Sequence, residues 1–389
     1  METSHHGRIF EKKYTIYEGP LPWYSISRKA DAMDSGEVKR ILFFVESFAT
    51  GVYSVVRDIA CGLPGDSFNV LIVHSIRPDT PPGYTNDFSF QHIQLHYLPM
   101  DTPAASVRAL GKLRKIIASY QPDVVHLHSS KAGFIGRLAV RDSSRRRVFY
   151  SPHGFSFLRR DVGMLKRRIF FLLELAADRI GRGTIIAVSQ GELAEALKIT
   201  SRAQAVNNFI DVSPIPKAGR ERSGMPIIAT CGRIMPQKNP ALFNELALRF
   251  PDCRFLWIGD GPVKHELTAP NITVTGFMTR KEAMELVSRA LIYVQPSLWE
   301  GMPVSVLEAM AAGVPVVASD IIGNRDIINH GKTGLLCRPG DLSTFAEAVG
   351  ELLGHRELRE TIGSQAREYV MKYHDYQSAL LKYQELYLT

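Results

Sequence analysis

The sequence predicts an α/β protein of two doubly wound, parallel-sheet domains facing each other across a cleft. Three observations predict it. Short apolar runs alternate with amphipathic stretches of helical period almost throughout, as for parallel strands covered on both faces. The alternation breaks at residues 211–224, where Pro214, Pro216, Gly219, Gly224 and several charges mark a linker. It then restarts in the same manner. Such sheets take ligands at the carboxyl ends of their strands, so two of them facing each other enclose a cleft.

The elements follow in order. Residues 1–38 have no clear period and are expected to form a mobile extension. The first domain, 39–210, opens with a buried strand at 40–47 and a helix at 52–63. Strands at 69–74 and 123–128 flank a basic helix at 104–120. A strand at 148–153, a long helix at 164–180 and a strand at 184–189 complete it. The second domain, 225–372, begins with a strand at 226–232 and a helix at 240–250. A strand at 254–259, a helix at 280–289 and a strand at 292–295 follow. A helix at 304–312 lies between that strand and another at 314–319. Residues 373–389 are expected to form a helix returning to the first domain.

Composition narrows the class. The 389 residues are 45% hydrophobic and 22% charged, ordinary for a globular protein. No apolar run approaches the roughly 20 residues needed to span a bilayer. The start of the chain lacks the apolar core of a signal peptide. Cys61, Cys231, Cys253 and Cys337 lie far apart without metal-ligand spacing, which suits reduced thiols in the cytoplasm. Residues 1–210 hold 28 Lys and Arg against 19 Asp and Glu, a net +9 of the chain's +8. A basic half suits a phosphorylated substrate or an anionic surface. No zinc finger, RNA-recognition signature or aromatic-basic interleaving supports nucleic acid.

The stretch 297–319 carries the most chemistry. Its helix is apolar on nearly every side except for Glu308, with no Lys or Arg within a turn. A buried, unpaired carboxylate is costly. Either a distant Arg or a ligand's hydroxyls must answer it. Pro303 suits the first turn, and the free N–H groups of residues 304–306 form an anion site. Glu300 lies in the loop just ahead, as a solvated loop residue or as part of a site. Arg233 and Lys238 follow the first strand of the second domain. Two cations a diphosphate's width apart suit a pyrophosphate leaving group. Gly259-Asp260-Gly261-Pro262 allows close backbone approach to a ligand, and Met278 follows a further strand end.

As a set in this order, these residues resemble the retaining glycosyltransferases of family four, over about residues 40–389. The matching features are Gly232-Arg233 with Lys238, the Gly259–Pro262 turn, Val274-Thr-Gly276-Phe277, Glu300 and Glu308 with seven residues between, and the Tyr369–Tyr373 region. The resemblance implies a GT-B fold and a nucleoside-diphosphate hexose as donor, with no cofactor and no metal. It implies that Arg233 and Lys238 hold the diphosphate, and that Glu300, with Gly301, Met302, Pro303 and Val304, contacts the donor sugar. Glu308 would bind the ribose and Met278 would lie by the base. His153, in Ser-Pro-His-Gly-Phe, matches a histidine that meets the sugar; alone, it reads equally as a satisfied strand-end residue. The resemblance also implies a donor contact at Gly51, in a loop where the family often has two glycines and an acid; here there is one glycine and no acid.

The Pro-His-Gly-Phe-Ser-Phe-Leu-Arg stretch is similar to bacterial surface-polysaccharide transferases, which implies a lipid-linked sugar acceptor. His126 and His128 are expected on opposite sides of their strand, one in the core and one lining the cleft. Residues 159–180 join basic charge to aromatic bulk. They suit either packing on the first sheet or an anionic membrane surface at the cytoplasmic face. The rival functions are a GT-B-like nucleotide-sugar epimerase, which lacks the paired glutamates, and a non-catalytic sugar-nucleotide-binding partner.

Overall fold

The computed structural model describes residues 38–81, 83–140, 146–218 and 224–389. The predicted extension therefore lies outside the described residues, apart from Val38, as do Arg145 and Gly219.

The first sheet is wholly parallel. It is built from β1 (Lys39–Val45), α1 (Thr50–Gly62), β2 (Phe68–His74), β3 (Ile93–Tyr97), α2 (Pro103–Tyr120), β4 (Val124–His128), α3 (Ser130–Ala139), β5 (Arg147–Ser151), α4 (Met164–Ile180), β6 (Thr184–Ala187), α5 (Gln190–Ala196) and β7 (Ala203–Ala205). Its strand order is β3-β2-β1-β4-β5-β6-β7. The chain thus reverses direction across the sheet between β1 and β4, whose carboxyl ends form a ligand crevice. Phe43, Phe44 and Val45 of β1 are buried, because helices cover both faces.

The second sheet repeats the plan. It comprises β8 (Ile227–Cys231), α6 (Pro240–Arg249), β9 (Arg254–Ile258), β10 (Ile272–Val274), α7 (Arg280–Val287), β11 (Ile292–Gln295), α8 (Val304–Ala312), β12 (Val316–Ser319), α9 (Asn324–Ile327) and β13 (Leu335–Cys337). Three helices follow: α10 (Leu342–Gly354), α11 (Arg356–Tyr373) and α12 (Tyr376–Leu388). The order is β10-β9-β8-β11-β12-β13, again parallel, with its reversal between β8 and β11. α12 packs against the first domain. The Tyr376 hydroxyl donates to Asp58 O at 3.1 Å, and Arg147 donates to Leu386 O at 2.9 Å.

Part of the linker is anchored: Ile215 is buried, and the Ala218 N–H donates to Ala312 O at 2.6 Å. One expectation changes. His126 and His128 do not face opposite sides. They are two residues apart on a strand, so they share a face. Their rings lie 4.1 Å apart, and both are fully buried.

Candidate active site

The site grows from the carboxyl ends of β8 and β11. Gly232 leaves β8 at φ 141, and Ile234 is fully buried, which fixes the loop between them. A short 3₁₀ turn, Pro236–Lys238, then delivers Lys238. Asn239 follows in the left-handed region and caps α6, its side chain accepting from the Leu242 N–H at 3.4 Å. From β11 the chain passes Trp299, itself buried, into Glu300.

Glu300 is a buried, fully engaged carboxylate. Lys238 Nζ donates to it at 2.7 Å, Gln237 Nε2 at 3.1 Å and Gln295 Nε2 at 3.2 Å. The solvated-loop alternative is thereby excluded. Gln237 also donates to Trp299 O at 2.9 Å, tying the two loops together. The glycines of the Gly259–Pro262 turn are needed for packing within the protein. A Cβ on Gly261 would lie 2.1 Å from Ile234 O, so its glycines let this turn pack on the loop bearing Arg233. The Ile234 N–H donates to Asp260 O at 2.9 Å.

Arg233 points across the cleft to Asp79, with Nη1 3.3 Å from each carboxylate oxygen. Asp79 is buried in the loop after β2, with Arg77 Nε 3.8 Å away on its other side. An acid therefore reaches the cleft from the loop after β2, where it pairs with Arg233. The signal was present, since 77–79 reads Arg-Pro-Asp, but nothing in its spacing connects it to residue 233.

Glu308 is paired with a distant Arg, the first of the two alternatives. Arg280 Nε donates to it at 2.6 Å. Arg280 is 28 residues away in sequence, and its helix packs against α8. A capping box on Thr279 and Glu282 fixes the first turn of α7 and so aims Arg280. Burial works against the Arg280 charge, but Glu308 and Asp58 outweigh it and raise the guanidinium above its usual range. Arg280 Nη2 is buried without a hydrogen-bond partner. Met278 precedes it by two residues and is half-buried against the core.

The first domain brings His153-Gly154 to Glu300-Gly301. A Cβ on Gly301 would come within 2.7 Å of Gly154 N, so glycine is needed for this approach. His153 holds φ 53, a conformation non-glycine residues rarely adopt. A relay of rings runs behind it. His153 Nε2 lies 3.0 Å from His128 Nδ1, whose ring packs on His126. His126 bonds Tyr387 Oη at 2.6 Å and Ser151 Oγ at 2.9 Å. Burial lowers the His153 pKa to about 4 and holds His126 and His128 well below the usual range. All three are neutral at pH 7.

Glu192, absent from the sequence predictions, holds this turn. It accepts from the Gly154 N–H at 2.6 Å and the Val188 N–H at 2.8 Å. Burial raises its pKa to about 7.

The start of α8 closes the cradle. Met302 and Val304 are buried, and Asn208 Nδ2 donates to Met302 O at 2.8 Å. Pro303 is the N-cap residue, and the Val306 N–H already donates to Pro303 O at 3.1 Å. The anion site is therefore the N–H groups of Val304 and Ser305, one fewer than expected. Gly51, at the start of α1, faces it: a Cβ there would meet Val304 Cγ2 at 3.5 Å. Two helix N-termini thus converge beside Arg233 and Lys238, a setting for diphosphate. Among the described residues no cluster of His, Cys, Asp or Glu is arranged to hold a metal ion.

Comparison with known proteins agrees with this geometry. The family model "Glycosyl transferases group 1" matches residues 211–369, and "Glycosyltransferase Family 4" matches residues 49–214. The chain is 26% identical over 318 residues to a UDP-Gal:alpha-D-GlcNAc-diphosphoundecaprenol alpha-1,3-galactosyltransferase of Escherichia coli, covering 74% of this chain and 80% of that one. It is 27% identical over 338 residues to a GDP-mannose-dependent alpha-mannosyltransferase of Mycolicibacterium smegmatis, covering 81% and 88%. Its fold matches that of sucrose-phosphate synthase from Thermosynechococcus elongatus with a TM-score of 0.76 at 18% identity, over 90% of this chain and 98% of that one. It also matches Anabaena HepE solved with UDP and glucose, with a TM-score of 0.72 at 18% identity, over 90% and 99%. With one family model on each domain and the two-sheet architecture shared throughout, the chain belongs to the family 4, group 1 glycosyltransferases and has the GT-B fold.

Proposed function

We propose that this glycosyltransferase moves a hexose, with retention of configuration, from a nucleoside-diphosphate sugar to a lipid-diphosphate-linked sugar. The reaction would take place at the cytoplasmic face of a membrane, in surface-polysaccharide synthesis. The observation that carries this reading is the Lys238–Glu300 pair at the sheet's reversal point, placed against His153-Gly154 of the other domain. It joins a cation for the leaving group, a carboxylate for sugar hydroxyls and a neutral imidazole at one place. The printed name of the Escherichia coli relative, with its UDP-sugar and diphosphoundecaprenol, supports the donor and acceptor classes.

In this mechanism Arg233, Lys238 and the N–H groups of Val304 and Ser305 hold the diphosphate. They stabilise the charge that grows on it as its bond to the anomeric carbon breaks, with no need for a metal. The acceptor hydroxyl forms the new bond from the same face, and its proton passes to the departing phosphate oxygen. Glu300 orients the sugar hydroxyls, and His153, neutral, adds a hydrogen bond to the sugar without competing for the proton. Glu308 and Arg280 meet the ribose, and Met278 lies by the base.

Thermal unfolding in the presence of a series of nucleoside-diphosphate hexoses tests the donor assignment. A donor at 100 times its Kd stabilises a single site by about 2.7 kcal/mol. One or a few of them should raise Tm, and Lys238→Ala should abolish the rise. Absence of protection by any of them contradicts the reading.

A further inference from the structure

Helix α4 is amphipathic in the opposite sense from a helix that only packs on its own sheet. Its inward side carries Glu174 and Asp178, both buried. Glu174 pairs with Arg137 and accepts from Tyr150, while Asp178 pairs with Arg202 at 2.8 Å. Its outward side carries Leu165, Ile169, Leu172, Leu173 and Ile180, between 41% and 74% exposed. Their steps of three, four and seven make one apolar stripe along the 17 residues. Lys166, Arg168 and Arg179 are exposed beside the stripe, and no acid on the helix is. Asp161, just ahead of α4, is engaged by Arg159 at 2.9 Å. Helix α3 packs between α4 and α2. α2 contains no acidic residue and exposes Arg108, Lys112 and Lys115.

We propose that this α2–α4 face docks on an anionic lipid bilayer, with the α4 stripe at the acyl boundary and the cations at the headgroups. An apolar centre with a rim of one sign fits such a surface. A second copy fits it poorly, because a two-fold contact would set the same cations against one another. The proposal deepens the reading of a lipid-linked acceptor and rests on it for the bilayer's role. The geometry joins the two: Arg167 Nε donates to Phe157 O at 2.9 Å, tying α4 to the segment that leaves His153-Gly154. A docked α4 therefore holds the segment that follows His153-Gly154 near the bilayer.

Co-sedimentation of the full chain with vesicles tests it, using phosphatidylcholine alone and phosphatidylcholine with phosphatidylglycerol. Binding is expected only with phosphatidylglycerol, and high salt should release it. Each cation near the surface contributes roughly fivefold in binding, so the double variant Arg168→Gln/Arg179→Gln should bind roughly 25-fold more weakly. Leu172→Glu, at an exposed position, should abolish binding and leave the thermal transition in place. No binding, equal binding to both vesicle types, or full binding by Leu172→Glu overturns the proposal. So does a wild-type dimer that Leu172→Glu converts to monomer without any vesicle binding. Turnover of a detergent-dispersed lipid acceptor separates the two readings. Turnover without vesicle binding overturns the docking face alone, and selective vesicle binding without turnover supports the face and overturns the proposed acceptor.

Discussion

Lys238 and Glu300 form an ion pair at 2.7 Å, yet their proposed tasks differ and so should their variants. Lys238 is proposed to hold the diphosphate of the bound donor and to stabilise the further charge that grows as it leaves. Lys238→Ala should therefore lower kcat/KM by about a hundredfold, the equivalent of about 3 kcal/mol. Glu300→Gln should mainly lower kcat, because contacts to the reacting sugar strengthen in the transition state. Glu308→Gln should mainly raise the donor KM, because ribose contacts change little during reaction. Steady-state kinetics of the three variants with one donor checks this, and identical profiles would contradict it. Asp79 adds a residue-scale prediction of its own. It holds Arg233 in the absence of donor, and the diphosphate must compete with it. Asp79→Asn should lower the donor KM about fivefold, as for one ion pair of ~1 kcal/mol. A higher KM would instead make Asp79 part of the donor's setting.

At the scale of elements, the turn after β5 is held by α5. Glu192 accepts two backbone N–H groups there, and burial raises its pKa to about 7 from an ordinary 4.5. A raised carboxyl favours the folded state only while protonated. Its stabilisation is complete below about pH 4.5 and is lost as pH rises through about 7. The loss is on the order of 3 kcal/mol in total. Glu192→Gln should flatten that dependence, which denaturant unfolding at a series of pH values would measure. Parallel stability curves for the two proteins would refute the assignment.

The sequence made some elements plain and left others hidden for physical reasons. The helix at 304–312 and its flanking strands were legible because α8 is apolar on all sides and bounded by Pro303 and Gly313. β3, β7, β10 and β13 are short or edge strands with mixed burial, so periodicity does not reveal them. Arg233, Lys238 and Glu300 were legible because loop, strand and helix signals surround each one. Asp79, Glu192 and Arg280 were not: each makes a contact 28 to 154 residues away, with Arg233, Gly154 and Glu308 respectively. The pairing of His126 with His128 followed from strand geometry alone and was misassigned to opposite faces.

At the scale of the whole molecule, the two domains meet through side chains and backbone on both sides of the cleft. Arg233 meets Asp79, Arg280 lies 3.6 Å from Asp58, and Asn208 donates to Met302 O. α12 clasps the first domain from the end of the second. In the proposed mechanism Arg233, Lys238 and two helix N-termini neutralise the diphosphate of the donor. Turnover should therefore persist in excess EDTA. Complete loss restored by Mg²⁺ or Mn²⁺ would show that the cations do not suffice. The measurement that tests the central claim most directly is the product's anomeric configuration. Purified enzyme is given its stabilising nucleoside-diphosphate hexose and a lipid-diphosphate-linked sugar, and the new glycosidic bond is examined by NMR. The account predicts a product whose anomeric configuration matches the donor's, formed by the wild type and lost in Lys238→Ala. An inverted product, or none with any lipid-linked acceptor, would contradict it.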